Sequence, residues 1–145
     1  MASFREKLKE IIEESNISIR EHANLSGVSQ SSLSLWTRFD IIPETKSIIR
    51  LAKYFQCPVD YFLGLTDEIK TKFSDNPVSC SERLKALIAE KNMTQYRASM
   101  NLHINNAMMT DWIKYKTLPS FDNLILLADY FNCSADYILG ISDNK

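Results

Sequence analysis

No run of about 18 apolar residues exists in the 145-residue sequence, so no membrane-spanning helix and no membrane partner are expected. Glycine (3) and proline (4) are scarce, which leaves few breakers and few tight strand-to-strand turns. An all-α chain is the expectation. The three cysteines, Cys57, Cys80 and Cys133, are odd in number and none forms a CxxC pair, so neither a disulfide framework nor a zinc site is expected. The opening Met1-Ala2-Ser3-Phe4-Arg5-Glu6 lacks the basic-then-apolar layout of an export signal, and the expected location is cytoplasmic. An excess of positive charge is missing as well: 17 Lys and Arg stand against 18 Asp and Glu. Neither half of the chain is basic, so a nucleic-acid binder built from this sequence must place its cations locally. No convergent acid, base and nucleophile motif is present, and His22 and His103 lack the companions of a metal ligand set. The expectation is a non-enzyme without cofactor or metal.

What the sequence does contain is an internal repeat. Trp36 and Trp112 stand 76 residues apart, and the same offset pairs Leu8 with Leu84, Ile12 with Ile88, Asn16 with Asn92, Pro43 with Pro119, Leu51-Ala52 with Leu127-Ala128, Tyr54-Phe55 with Tyr130-Phe131, Cys57 with Cys133 and Asp60-Tyr61 with Asp136-Tyr137. The register needs no gap through Gly64 and Gly140. Two copies of one fold follow: a first domain over 1–66, a linker over 67–78 and a second domain over 79–145.

Helix signals also come in pairs. Ser3 with Glu6, Ser79 with Glu82 and Ser18 with Glu21 have capping-box spacing, while Thr94 meets Arg97 and lacks the carboxylate. Phe4, Leu8, Ile11, Ile12 and Cys80, Leu84, Leu87, Ile88 follow amphipathic helical spacing. A second helix opens at Ser18 or Thr94, and a short turn (Gly27-Val28-Ser29 or His103-Ile104-Asn105) leads to a third helix capped by Ser29 or Asn105. A fourth follows Pro43 or Pro119, with Ile48, Leu51, Ala52, Phe55 and Leu124, Leu127, Ala128, Phe131 inward. A fifth carries Tyr61-Phe62-Leu63 or Tyr137-Ile138-Leu139 and stops at a glycine. Met108, Met109, Cys57, Cys133, Tyr54-Phe55 and Tyr130-Phe131 read as core.

The whole string, Ile17-Ser18, Ala23, Ser26-Gly27-Val28-Ser29, Leu33, Trp36, Pro43, Leu51-Ala52-Lys53-Tyr54-Phe55 and Val59-Asp60-Tyr61-Phe62-Leu63-Gly64, resembles the lambda-repressor/Cro (XRE) family of helix-turn-helix domains. Met93-Thr94-Gln95, Ile104, Trp112, Pro119 and Ala135-Asp136-Tyr137-Ile138-Leu139-Gly140 resemble it again. The resemblance implies two tandem five-helix domains, double-stranded DNA as partner, and transcriptional control in bacteria or their phages. It also implies that the third helix of each copy enters the major groove.

On that helix Val28, Leu33 and Trp36 fall inward, and Ile104, Met109 and Trp112 do so in the second copy. Gln30, Ser31, Ser34, Leu35 and Arg38, and Asn106, Ala107, Thr110, Asp111 and Lys114, fall outward. The resemblance makes Gln30, Ser31, Ser34 and Leu35, with Asn106, Ala107, Thr110 and Asp111, base-facing, beside the caps Ser29 and Asn105. It makes Gln95 a phosphate contact at the start of the second helix, where the first copy has Ile19. Arg38, Lys114 and Lys116 are candidate phosphate contacts. Leu35 and Asp111 depart from the usual polar readers, and His103 replaces the turn glycine. The outward sets share almost nothing, so the copies are expected to read different sequences.

The chain reads as a two-headed regulator, a repressor occupying promoter DNA. The alternative is that one or both copies grip a protein partner. Relatives with one domain reach two half-sites by dimerising, and Tyr61-Phe62-Leu63 or its counterpart is the face a homodimer would use. Counted from Leu65 to Val78, a flexible connection of 14 residues spans about 20 Å and at most about 48 Å, against half-sites about 34 Å apart.

Overall fold

The computed structural model describes residues 3–145 and contains ten helices and no strand among them. The chain divides into two compact units, Met1–Thr71 and Lys72–Lys145.

The first unit holds α1 (Phe4–Ser15), α2 (Ile19–Ser26), α3 (Gln30–Arg38), α4 (Thr45–Phe55) and α5 (Val59–Phe62). Ser3, Ser18 and Ser29 each accept a hydrogen bond from the amide three residues on, so the orphan donors of three helix starts are met by side chains. Asn16 and Gly27 end α1 and α2 in the left-handed conformation. Phe4, Leu8, Leu33, Ile48, Leu51, Val59 and Phe62 form the core, each at most 2% exposed. Phe4 lies edge-on to Trp36 and against Phe62, with ring centroids 6.4 and 5.6 Å away.

The second unit repeats this with α6 (Cys80–Glu90), α7 (Gln95–Leu102), α8 (Asn106–Ile113), α9 (Phe121–Phe131) and α10 (Ala135–Ile138). Ser79, Thr94, Ser120 and Ser134 cap four of them through their hydroxyls, and Asn105 caps α8 by accepting from the Ala107 amide. Thr94 therefore caps without the carboxylate of a full box. Where the first unit stacks Phe4 on Phe62, the second has Cys80 and Ile138, with Met109 in place of Leu33. Smaller neighbours are accompanied by an adaptable filler.

Three expectations change. Tyr61, Phe62 and Leu63 are 3%, 0% and 1% exposed, because the single turn of α5 plugs the end of the bundle; they form core and offer no free face to a second copy. Met108 is 39% exposed, its sulfur accepting from Asn123, so only Met109 of that pair is filling. Tyr54, Phe55, Ile104, Tyr130 and Cys133 are half-buried.

The repeat runs three residues past the glycines, Leu65-Thr66-Asp67 matching Ile141-Ser142-Asp143. Asp67 accepts from the buried Lys7 ammonium at 2.7 Å, and that ammonium also faces the Tyr61 ring. In the second unit Arg83 takes the lysine's place over Tyr137, 3.7 Å from the ring centre, and Asp143 instead accepts from Ser74. Ser74 and Val78 further donate their amides to Ile141 and Gly140.

Candidate nucleic-acid interface

The local sequence fixes the turn between the two helices of each motif. Gly27 adopts φ +77°, and its place in the second unit is held by His103 at φ +57°. A side chain in this region is disfavoured, histidine less than most. After the turn Val28 is buried and Ile104 half-buried, anchoring α3 and α8 at their starts. Trp36 and Trp112, 8% and 3% exposed, anchor their far ends.

That anchoring leaves the opposite side of each helix open. Gln30, Ser31, Leu35 and Arg38 are exposed and Ser34 is half-buried; Asn106, Ala107, Asp111 and Lys114 are exposed and Thr110 is half-buried. Ser29 is a cap in the structure, and its hydroxyl also donates to Ser32 Oγ. Lys116 is exposed in the loop after α8 at φ +59°, where the Thr117 amide returns to the Asp111 carbonyl.

The motifs differ in how these side chains are held. In the second unit Gln95, at the start of α7, donates one amide hydrogen to Asn106 Oδ1 at 3.1 Å and the other to Thr110 Oγ1 at 2.8 Å. Both Gln95 donors are thereby used, and the Thr110 hydroxyl hydrogen is free to donate outward. The resemblance made Gln95 a phosphate contact and gave no sign of this bridge, which joins two helices and has no signature in the spacing of residues 95, 106 and 110. In the first unit the counterpart is Ile19, which cannot make it.

Instead, Ile19 is one wall of an open cleft of about 570 Å³ bounded by Arg5, Lys9, Ile12 and Glu13 from α1 and by Thr37 and Arg38 from α3. Sequence reasoning missed Arg5 and Lys9, which reach this position only through the packing of α1 on α3. In the second unit Ser81 replaces Arg5, is buried, and donates to the carbonyl of Ile113.

Around α3 the first unit also exposes apolar side chains: Leu35 (40%), Phe39 (53%), Ile41 (46%) and Ile42 (47%). His22 is buried between Ser15 and Tyr54, 2.7 Å from each hydroxyl oxygen, and burial holds its pKa below the ordinary histidine value. No group of three or more metal-binding side chains occurs among the described residues, and no helix is long and apolar enough to cross a membrane.

No curated protein and no solved structure matches the chain. A helix-turn-helix family model matches twice, over residues 8–62 and 84–138, which run from within α1 to the end of α5 and from within α6 to the end of α10. The chain therefore belongs to the lambda-repressor-like helix-turn-helix family, as two tandem copies of its DNA-binding domain.

Proposed function

We propose that the protein is a non-catalytic, sequence-specific regulator that binds duplex DNA through two unlike recognition helices, α3 and α8, and represses by occupying promoter DNA. The observation that supports this most directly is the open polar face of α8, braced from behind by Gln95. A pre-ordered set of hydrogen-bonding side chains loses little freedom on entering the groove. Asn106 suits adenine, Thr110 donates to purine N7 or guanine O6, and Asp111 accepts from cytosine N4. On α3, Gln30, Ser31 and Ser34 supply polar contacts and Leu35 meets a thymine methyl. Arg38, Lys114 and Lys116 position each domain on phosphates.

Selection from a random duplex pool tests the reading: two unlike half-sites should be enriched, and enrichment of none overturns it. Replacing Gln30, Ser31 and Arg38 should then erase preference in one half-site only, and replacing Asn106, Thr110 and Lys114 in the other. The exposed Leu35, Phe39, Ile41 and Ile42 favour a second reading, in which the first domain grips a protein. Under that reading the first set of replacements leaves DNA affinity unchanged.

A further inference from the structure

We propose that the chain pairs with a second copy of itself through the outer faces of α4 and α9: a basic stripe on the first domain of one copy lies against an acidic-edged stripe on the second domain of the other, and the reverse. The inference uses no property of the recognition helices and stands apart from the DNA-binding reading.

The two helices are counterparts in the repeat, and their inward sides agree. Ile48, Leu51 and Ala52 match Leu124, Leu127 and Ala128, and all six are buried. The outward sides do not agree. Where α4 has Lys46, Arg50 and Lys53, α9 has Asp122, Leu126 and Asp129. Positions i, i+4 and i+7 fall on one side of a helix, and all six of these side chains are exposed. Neighbouring outward positions keep their neutral polar character, Ser47 matching Asn123 and Gln56 matching Asn132, so the change is confined to the stripe. The conserved inner packing gives no reason for it.

Neither stripe is neutralised within its own domain. Lys46, Lys53, Asp122 and Asp129 make no ion pair among the described residues, and Arg50 donates to the Gly27 carbonyl at 3.4 Å. Leu126 is 46% exposed, and one turn before it Asn123 holds the exposed Met108, whose counterpart in the first domain is Ser32.

The stripes fit each other. Lys46 and Lys53 are seven residues apart, as are Asp122 and Asp129, which sets each pair of charges about 10.5 Å apart along its helix. With the helices antiparallel, Lys46 meets Asp129, Lys53 meets Asp122, and the aliphatic stem of Arg50 covers Leu126. Like pairing fails, because α4 on α4 opposes cations and α9 on α9 opposes carboxylates. The contact is therefore between unlike domains, and a two-fold axis makes it twice in one closed dimer. Exposed ion pairs are individually weak, so the dimer is salt-sensitive and depends on the duplicated contact.

Sedimentation velocity of the full chain over a range of protein and salt concentrations reads the association directly. The wild-type chain should dimerise at low salt and dissociate as salt rises. Lys46→Asp with Lys53→Asp leaves both stripes acidic, and Asp122→Lys with Asp129→Lys leaves both basic. Each double variant should self-associate about ten-fold more weakly than wild type, or weaker still. Mixed together, the two should regain a dimer of near wild-type affinity, since every acidic stripe again has a basic one on the other chain. That recovery is the result that a dimer through any other face would not give. A wild-type chain that stays monomeric throughout, a dimer that either double variant forms unchanged, or a mixture that regains nothing overturns the inference.

Discussion

At the scale of single residues, His22 shows how one substitution gives the two copies different behaviour. Ser15 donates its hydroxyl hydrogen to the Ile12 carbonyl, so its oxygen accepts from His22 Nε2, and His22 Nδ1 is left to accept from the Tyr54 hydroxyl. The network is complete with a neutral ring. Burial lowers the histidine pKa more than the nearby Glu21 raises it, and the same burial raises that of Tyr54. An unfolded histidine titrates near 6.5. Between that value and the lower folded one the unfolded chain holds more protons, so stability rises with pH. The contribution of neutral His22 is full above about pH 6.5 and declines as pH falls from there to the folded value. Ala98 occupies the equivalent position, so the second domain has no such loss. Urea unfolding followed by Trp36 fluorescence in a Trp112→Phe chain should show the first domain weakening as pH falls below about 6.5, with His22→Ala flattening that profile. An unchanged slope in His22→Ala removes the histidine as cause. The sequence showed an isolated histidine at this position, and its partners come from α1 and α4.

The helices were legible where their determinants are local. Ser3, Ser18, Ser29, Ser79 and Asn105 announce helix starts because capping uses a side chain and an amide two or three residues apart. The inward positions Leu33, Trp36, Met109 and Trp112 follow from helical spacing alone. Periodicity could not show that α5 is wholly enclosed, since a four-residue helix offers no full face to read. It could not place Arg5 and Lys9 beside Arg38 or join Gln95 to α8, because those relations arise from packing between helices. The α7–α8 bridge has a measurable consequence. Gln95→Ala removes two hydrogen bonds that hold Asn106 and Thr110 in one arrangement, each worth about 0.5–1.5 kcal/mol at most on so open a face. DNA affinity should fall by roughly five-fold, about 1 kcal/mol, with the loss concentrated in the half-site read by α8. The thermal midpoint of the second domain should fall by several degrees and that of the first should not move. Competition binding with duplexes altered in one half-site checks this, and an equal loss on both halves contradicts the bracing role.

At the scale of the whole molecule, the connection between the domains is shorter than its sequence suggests. The 67–78 segment carries Ser74-Asp75-Asn76-Pro77 and no apolar period, which is why it reads as a linker. Yet Asp67 is held by Lys7, residues 69–71 line a groove with Ile11 and Phe55, and Ser74 and Val78 bond to the chain after α10. The stretch from Asp67 to Ser74 extends to about 25 Å at most, against about 48 Å for fourteen loose residues. A shorter tether narrows the set of half-site spacings that both recognition helices can occupy together. The docked end depends on Gly140: its φ is +76°, and a β-carbon there would collide with the carbonyl of Val78. Gly140→Ala should therefore release residues 74–78, raise tryptic cleavage after Lys72 by an order of magnitude or so, and broaden the half-site spacings recovered in selection. Ser74→Ala, which removes the hydroxyl's bond to Asp143 and the bond it accepts from the Asn76 amide but leaves both backbone bonds to Ile141 and Gly140, should give a smaller shift of the same sign. Faster cleavage in both variants with an unchanged spacing preference would mean that the docked segment protects the chain without setting the distance between the half-sites.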